Sequence, residues 1–253
     1  MAAALSSHRQ ALVTLRPMPL LILLATLAFV ASPFFVTNFA GFDPALFPVP
    51  QEDPPVQPAG WAFAIWGVLY AWLIVSAGYG VLRRADHPAW AAHRPWLLVN
   101  LVLGAAWLPV AERSVPGATA LLGAMLVTAL PALFRTPRRD RWWLQAPVAL
   151  YAGWLTAAFS ASLGLVLAGW GYLAETPAAL VALVFALVVG LGVQTRLGRA
   201  PGYGLALIWA LVAIATKNAA APANLPVAAL AGLGAAAVLG VVILRTRRRS
   251  GAE

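Results

Sequence analysis

Residues 57–73, QPAGWAFAIWGVLYAWL, place three tryptophans, a phenylalanine and a tyrosine in one apolar run. On an α-helix, Phe63, Trp66 and Tyr70 recur at spacings of three and four, so they share one face. Aromatic rings on one face can pack together, anchor a helix at a membrane boundary, or form the wall of a pocket. If they bind something, the chemistry would be noncovalent contact between aromatic rings and another molecule, and the residues alone leave the three interpretations open.

Tryptophans also occur away from the ends of the apolar segments. Trp66 and Trp154 lie well inside theirs, where an indole N–H group needs a hydrogen-bond partner. Trp72 and Trp107 are also poorly explained as boundary anchors. Such rings either pack together or enclose a flat-walled cavity, and the residues alone leave both interpretations open.

Groups for acid–base, nucleophilic or metal chemistry are almost absent from the apolar segments. The nearest ionisable side chains lie at segment ends: Glu112, Arg113, Glu175 and Lys217. His87 and His93 have no cysteine or pattern of acidic ligands beside them, so we expect no metal site. An ion-coupled transporter places acids or bases at membrane depth, so that class is disfavoured. We expect that the protein is not an enzyme and has no cofactor, unless a porphyrin or another planar hydrophobic molecule binds.

The composition predicts an integral membrane protein. Of the 253 residues, 62% are hydrophobic and only 10% are charged, whereas soluble domains carry about 25% charged residues. Eight apolar segments approach or reach the length that crosses a bilayer. They cover residues 17–37, 60–82, 95–111, 117–134, 142–166, 177–195, 203–219 and 225–244. Short connections between most of them predict an all-α, polytopic helical bundle with antiparallel neighbours.

The basic residues are distributed asymmetrically between these segments. If the eight segments alternate across the membrane, 15 of the 17 Lys and Arg residues fall on one side, and only Arg113 and Lys217 fall on the other. Positive loops stay inside the cell, so both termini are predicted to be cytoplasmic and the protein to lie in the inner membrane. The net charge of +9 is therefore an orientation signal, and we expect no nucleic-acid partner.

Three motifs in the first five segments resemble those of the TspO/MBR family, the tryptophan-rich sensory proteins related to the mitochondrial translocator protein. PAGWAFAIWGVLY resembles the family's second-helix motif. AAWLPV is similar to its third-helix motif through Trp107 and Pro109, and PVALYAGWLTAAFSASL to its last-helix motif through Tyr151 and Trp154. The order and approximate spacing agree over roughly residues 17–166.

The chain also departs from the family pattern. Gly104 and Ser162 stand where the family has asparagine, and Ala157 stands where it has phenylalanine. The family's usual chain has five helices, so the last three segments are additional. We therefore divide the chain into a TspO-like bundle, residues 1–170, and additional C-terminal helices of the same membrane domain, residues 171–253.

The resemblance implies a five-helix bundle that encloses a pocket for flat hydrophobic ligands, porphyrins and sterols among them. It assigns the pocket to eight residues: Phe63, Trp66, Tyr70, Asn100, Trp107, Pro109, Tyr151 and Trp154. In this assignment aromatic rings form the walls and Asn100 donates to the ligand's edge. The acidic, proline-rich loop 38–59 is expected to cover the outer mouth.

The function predicted from these features is that of a membrane binding and regulatory, or sensory, protein. Its partners would be the bilayer, a hydrophobic small molecule, and a second copy or another membrane protein. Two faces of small residues would permit close helix contacts: Gly153, Ala157 and Ala161, and Gly232, Ala236 and Gly240. The alternative is a facilitator-type permease for an uncharged or amphipathic solute, with Thr156, Ser160 and Ser162 along a polar path.

Overall fold

Eight long α-helices form the chain in a computed structural model, which describes residues 17–36, 41–220 and 222–250, with side chains as far as Arg247. Arg9 and Arg16, and residues 38–40 of the long loop, lie outside the described residues. The helices are α1 (Pro17–Ala31), α2 (Ile65–Arg84), α3 (Arg94–Ala111), α4 (Val115–Phe134), α5 (Ala146–Gly169), α6 (Glu175–Arg196), α7 (Pro201–Ala219) and α8 (Leu225–Ser250). The described ranges contain no β-strand. All eight helical regions are long and apolar enough to cross a membrane, which confirms the predicted fold class.

The helix starts follow from local sequence signals. Pro201 is the first residue of α7, and α3, α4 and α5 each have a proline within their first two positions. Proline fits there because its missing N–H group would have no partner within the helix. Ser114 caps α4 by accepting a hydrogen bond from the Gly117 backbone N–H. A one-turn π-helix, Arg141–Gln145, leads into α5, and four short 3-10 turns lie in the connections.

Helices α1 to α5 form a closed ring, which we call the helix ring. Around it, α1 packs against α2, α2 against α5, α5 against α4, α4 against α3, and α3 against α1. Helices α6 and α7 pack on the outer side of α5, and α8 packs against α6 and α7. Helix α5 therefore has neighbours on both sides, and it joins the helix ring to the three C-terminal helices.

Apolar side chains cover the outside of the bundle. Leu24, Val102, Val188 and Leu233 each expose more than half of their surface, on α1, α3, α6 and α8 respectively. A soluble protein rarely leaves so many large apolar side chains exposed on one surface. Lipid contact is the environment that suits such a surface, so the chain is a multi-pass membrane protein.

The contact between α5 and α7 depends on a glycine. A Cβ atom added to Gly153 would overlap the backbone carbonyl of Tyr203. Beside this contact, the hydroxyl groups of Thr156 and Tyr203 are hydrogen-bonded at 2.8 Å. The Gly153 face is thus a close-packed helix interface. On α8, by contrast, a Cβ added at Gly232 or Gly240 would meet nothing within 4 Å, and the seating of a second copy or a partner chain on that face stays a prediction.

One end of the bundle is held by a partly buried carboxylate. Asp140 accepts hydrogen bonds from Arg84 Nε at 2.7 Å, Arg84 Nη2 at 2.9 Å and Trp90 Nε1 at 3.0 Å. The hydrogen bonds from Arg84 hold the pKa of this carboxyl below its usual value. Arg94 donates to the carbonyls of Arg84 and Ala85. These contacts join the end of α2 to the starts of α3 and α5. That this basic end faces the cytoplasm stays a prediction.

The long loop lies over the opposite end. Phe47 is buried and fills the space left by Gly169, where an added Cβ would overlap its ring. Val56 is also buried, and it packs in the same way against Gly164. The loop is therefore packed onto α5 through two apolar side chains.

Polar side chains at the end of α7 also hold this loop in place. The Lys217 ammonium lies 2.6 Å from the Asp53 carboxylate and donates to the Pro54 carbonyl at 2.9 Å. The Asn218 side-chain amide donates to the Pro55 carbonyl at 2.8 Å. Lys217 lies in the last turn of α7, and its contacts with Asp53 and Pro54 tether this helix to the loop.

We predict that Gly153→Ala destabilises the protein by about 1–3 kcal/mol, because the new methyl group must push α7 away from α5. Thermal unfolding in detergent, followed by circular dichroism, would show a lower midpoint. The matched control is Gly232→Ala, which adds the same methyl group where the space is open and should leave the midpoint unchanged or slightly higher. Equal midpoints for the two variants would contradict the close contact.

We predict that Lys217→Met loosens the loop without unfolding the bundle. The Asp53 side chain is 89% exposed, so the ion pair contributes at most about 1 kcal/mol. Hydrogen–deuterium exchange should become faster within residues 49–58, while the thermal midpoint changes little. Arg113→Met, which removes the other cation at this end of the bundle, serves as control. Unchanged exchange in the Lys217 variant would show that Phe47 and Val56 hold the loop alone.

Candidate functional site

A cavity of about 390 Å³ lies inside the helix ring, toward the loop end. This volume is within the range of about 300–1,000 Å³ that is usual for small-molecule sites. Helices α2 to α5 and the turn that follows α1 all contribute to its walls. The lining residues are Pro33, Val36, Phe63, Trp66, Tyr70, Trp107, Leu108, Leu122, Trp154 and Ala158.

The aromatic side chains contact one another and also border the open space. The Trp66 ring centroid lies 5.2 Å from that of Tyr70, with the planes tilted by 34°, and 6.0 Å from that of Trp154, with the planes nearly perpendicular. Phe63 meets Trp154 edge to face at 6.1 Å. Edge-to-face pairs are favourable but do not fill space as parallel stacks do. The rings therefore pack against one another and still leave a cavity. Both interpretations of the sequence, aromatic packing and a flat-walled cavity, apply to this cluster.

Phe29 of α1 completes the aromatic cluster, and the sequence analysis missed it. Its centroid lies 5.3 Å from Tyr70, 5.7 Å from Tyr151 and 6.0 Å from Trp66. A Cβ atom on Gly104 would come within 2.9 Å of the Phe29 ring, so this glycine leaves room for the ring. Gly104 stands where the TspO/MBR family has asparagine. This glycine was the feature of the sequence that could have indicated a large side chain packed beside it.

Five of the eight predicted site residues line the cavity: Phe63, Trp66, Tyr70, Trp107 and Trp154. Tyr151 lies behind them, fully buried against Phe29. The Asn100 amide donates to the Met125 carbonyl and to Thr128, so it joins α3 to α4 and is not among the lining residues. Pro109 lies inside α3, and its carbonyl accepts a hydrogen bond from Arg113.

A second, smaller chamber of about 80 Å³ adjoins the cavity and lies beneath the loop. The two spaces share walls formed by Phe63, Trp107, Leu122, Trp154 and Ala158. The loop contributes Gly41, Phe42, Gln57 and Pro58 to the chamber, and α5 contributes Ser162. The loop therefore covers this end of the site.

Polar groups in and around the site are few and uncharged. The Ser162 and Thr119 hydroxyls are 2.6 Å apart, and Thr119 donates onward to the Val115 carbonyl. The buried Trp154 Nε1 and Tyr151 hydroxyl have no hydrogen-bond partner in the described chain, which costs free energy in an apolar interior. Within the described ranges, no three His, Cys, Asp or Glu side chains converge as a metal site would require. The arrangement offers a bound molecule aromatic and aliphatic contacts and a few neutral hydrogen-bonding groups.

Comparison with known proteins identifies the family. A family model described as "TSPO-like protein" matches residues 49–245. No curated protein and no solved structure shows significant similarity to the chain. The matched region runs from the loop through α2 to most of α8, so it extends beyond the aromatic motifs, which end in α5. The division at residue 170 stays a prediction. The match covers more than half of the sequence, and the chain is therefore a member of the TSPO-like protein family.

Proposed function

We propose that this protein binds a planar hydrophobic molecule in the aromatic cavity and couples its occupancy to signalling or to handling of the ligand. The observation that carries the proposal is the cavity of about 390 Å³ inside the helix ring, walled by five aromatic side chains. Porphyrins and sterols are the two ligand classes that such walls suit. The function is binding rather than catalysis.

The geometry supports a flat ligand in particular. Trp66 and Tyr70 lie one helical turn apart with their planes tilted by 34°, and both rings line the cavity, where a flat ligand can pack against them. Trp154 stands nearly perpendicular to Trp66 and would bound the ligand's edge. A polycyclic molecule would bind by packing its faces against these aromatic walls.

The loop is the element that would respond to occupancy. Its residues Gln57 and Pro58 line the smaller chamber, and residues 53–55 are bonded to the end of α7. A ligand that fills the site would therefore press on a segment that also contacts the C-terminal helices. The loop would lie outside the cytoplasm and the protein in the inner membrane, because 15 of the 17 Lys and Arg residues fall on the other side if the eight segments alternate across the bilayer.

The permease alternative gains little from the hydroxyl groups that suggested it. The Thr156 hydroxyl donates to the Ala152 carbonyl and is also hydrogen-bonded to the Tyr203 hydroxyl, and Ser160 donates to the Thr156 carbonyl. Ser162 is paired with Thr119. These groups satisfy one another within the bundle, so they do not form a wetted path along it.

We predict that the double variant Trp66→Ala, Trp154→Ala binds protoporphyrin dimethyl ester at least about tenfold more weakly than the native protein, because two walls of the cavity are lost. The shift of the porphyrin absorption band, measured in an uncharged detergent, reports binding without relying on tryptophan emission.

The matched control also removes two tryptophans, in the variant Trp72→Ala, Trp209→Ala. Trp72 stacks on Trp142, and Trp209 packs on Trp61, and neither pair is among the cavity-lining residues. Equal affinities of the two double variants would show that the porphyrin binds elsewhere. Solute flux into proteoliposomes without porphyrin affinity would favour the permease.

A further inference from the structure

Among the described residues, those that line the cavity and the smaller chamber are all uncharged. The main cavity is formed by aromatic, aliphatic and proline side chains, and the smaller chamber adds Gln57 and Ser162 as neutral polar groups. A carboxylate moved from water into such surroundings loses its hydration without gaining a cation. The lining therefore disfavours any ligand whose charged groups must enter the site.

The loop end of the bundle is acidic as a whole. Five carboxylates lie at this end: Asp43, Glu52, Asp53, Glu112 and Glu175. Only two cations lie there in the sequence, Arg113 and Lys217, so this end has a net charge of −3. Charge of one sign around an apolar cleft raises the local concentration of opposite charge and lowers that of like charge. An anion approaching from this side is repelled before it reaches the cavity.

Both cations at this end are already engaged by the protein. Lys217 contacts the Asp53 carboxylate and the Pro54 carbonyl, and Arg113 donates to the Pro109 carbonyl. Neither is among the residues that line the two cavities. A carboxylate on a bound ligand would have to compete with these contacts for a counter-charge.

We infer that the site selects against anions and takes a planar polycycle whose polar groups are neutral, such as esters, ketones or hydroxyls. This inference rests on the proposed function and narrows it. A sterol or an esterified porphyrin meets the requirement, whereas a free porphyrin dicarboxylate does not.

The experiment compares protoporphyrin IX with its dimethyl ester, two molecules that share one ring system and differ in two negative charges. Both are titrated into the full chain in an uncharged detergent near neutral pH. The ester is expected to bind at least about tenfold more tightly than the dicarboxylate. Added salt should narrow this difference, since the repulsion from the acidic end is screened.

Two substitutions at Gln57 make the comparison specific to the site. Gln57 is half-buried and lines the chamber, so Gln57→Lys places a cation where a carboxylate of the ligand would lie. This variant is expected to bind the dicarboxylate at least about tenfold more tightly than the native chain does, with little change for the ester. Gln57→Met, which alters the side chain without adding charge, should leave the ratio of the two affinities unchanged. Thermal midpoints of both variants check that the fold is retained.

The outcomes separate the two proposals. If the dicarboxylate binds as tightly as the ester, or if Gln57→Met shifts the ratio as much as Gln57→Lys, the selection against anions is wrong while the aromatic site stands. If neither porphyrin nor a neutral sterol binds the native chain, both proposals fail.

Discussion

A bilayer offers no water for hydrogen bonding, and this constraint determines how the whole chain is built. Backbone groups must pair within each segment, so the apolar segments are helices. Hydroxyl side chains follow the same rule, as Thr26, Thr119 and Thr156 each donate to the carbonyl four residues earlier in their own helix. Most of the helix surface is therefore apolar, and its shape largely determines which faces pack together, with a few hydrogen bonds between helices such as that from Asn100 to α4.

Shape accounts for both the close contacts and the open space. Where small residues meet, as at Gly153 beside Tyr203, two helices approach to backbone distance. Where large rings meet edge to face, as Trp66 and Trp154 do, the helices stay apart and a cavity remains between them. The same bundle thus combines a tightly packed seam on one side of α5 with a cavity on the other.

Helix α5 and the three helices behind it explain how the cavity can be covered. The loop between α1 and α2 packs on α5 through Phe47 and Val56, and it is bonded to α7 through Lys217 and Asn218. The C-terminal helices therefore support the segment that closes the site, although none of the aromatic motifs lies within them. At the other end, α2, α3 and α5 are joined by the hydrogen bonds that Arg84 and Trp90 donate to the Asp140 carboxylate.

Features that depend on residues close together in the chain could be predicted without the structure. Hydropathy over about 20 residues located all eight spans, and helical periodicity placed Phe63, Trp66 and Tyr70 on one face, where they do line the cavity. Contacts between different helices, by contrast, could be identified only from the folded chain. It brought Phe29 to the aromatic cluster opposite Gly104, turned Asn100 to α4, and tied Lys217 to the loop. Nothing in a single apolar helix such as α1 marks which side faces inward, because lipid and protein interior are equally apolar, and that choice is made only when the helices pack.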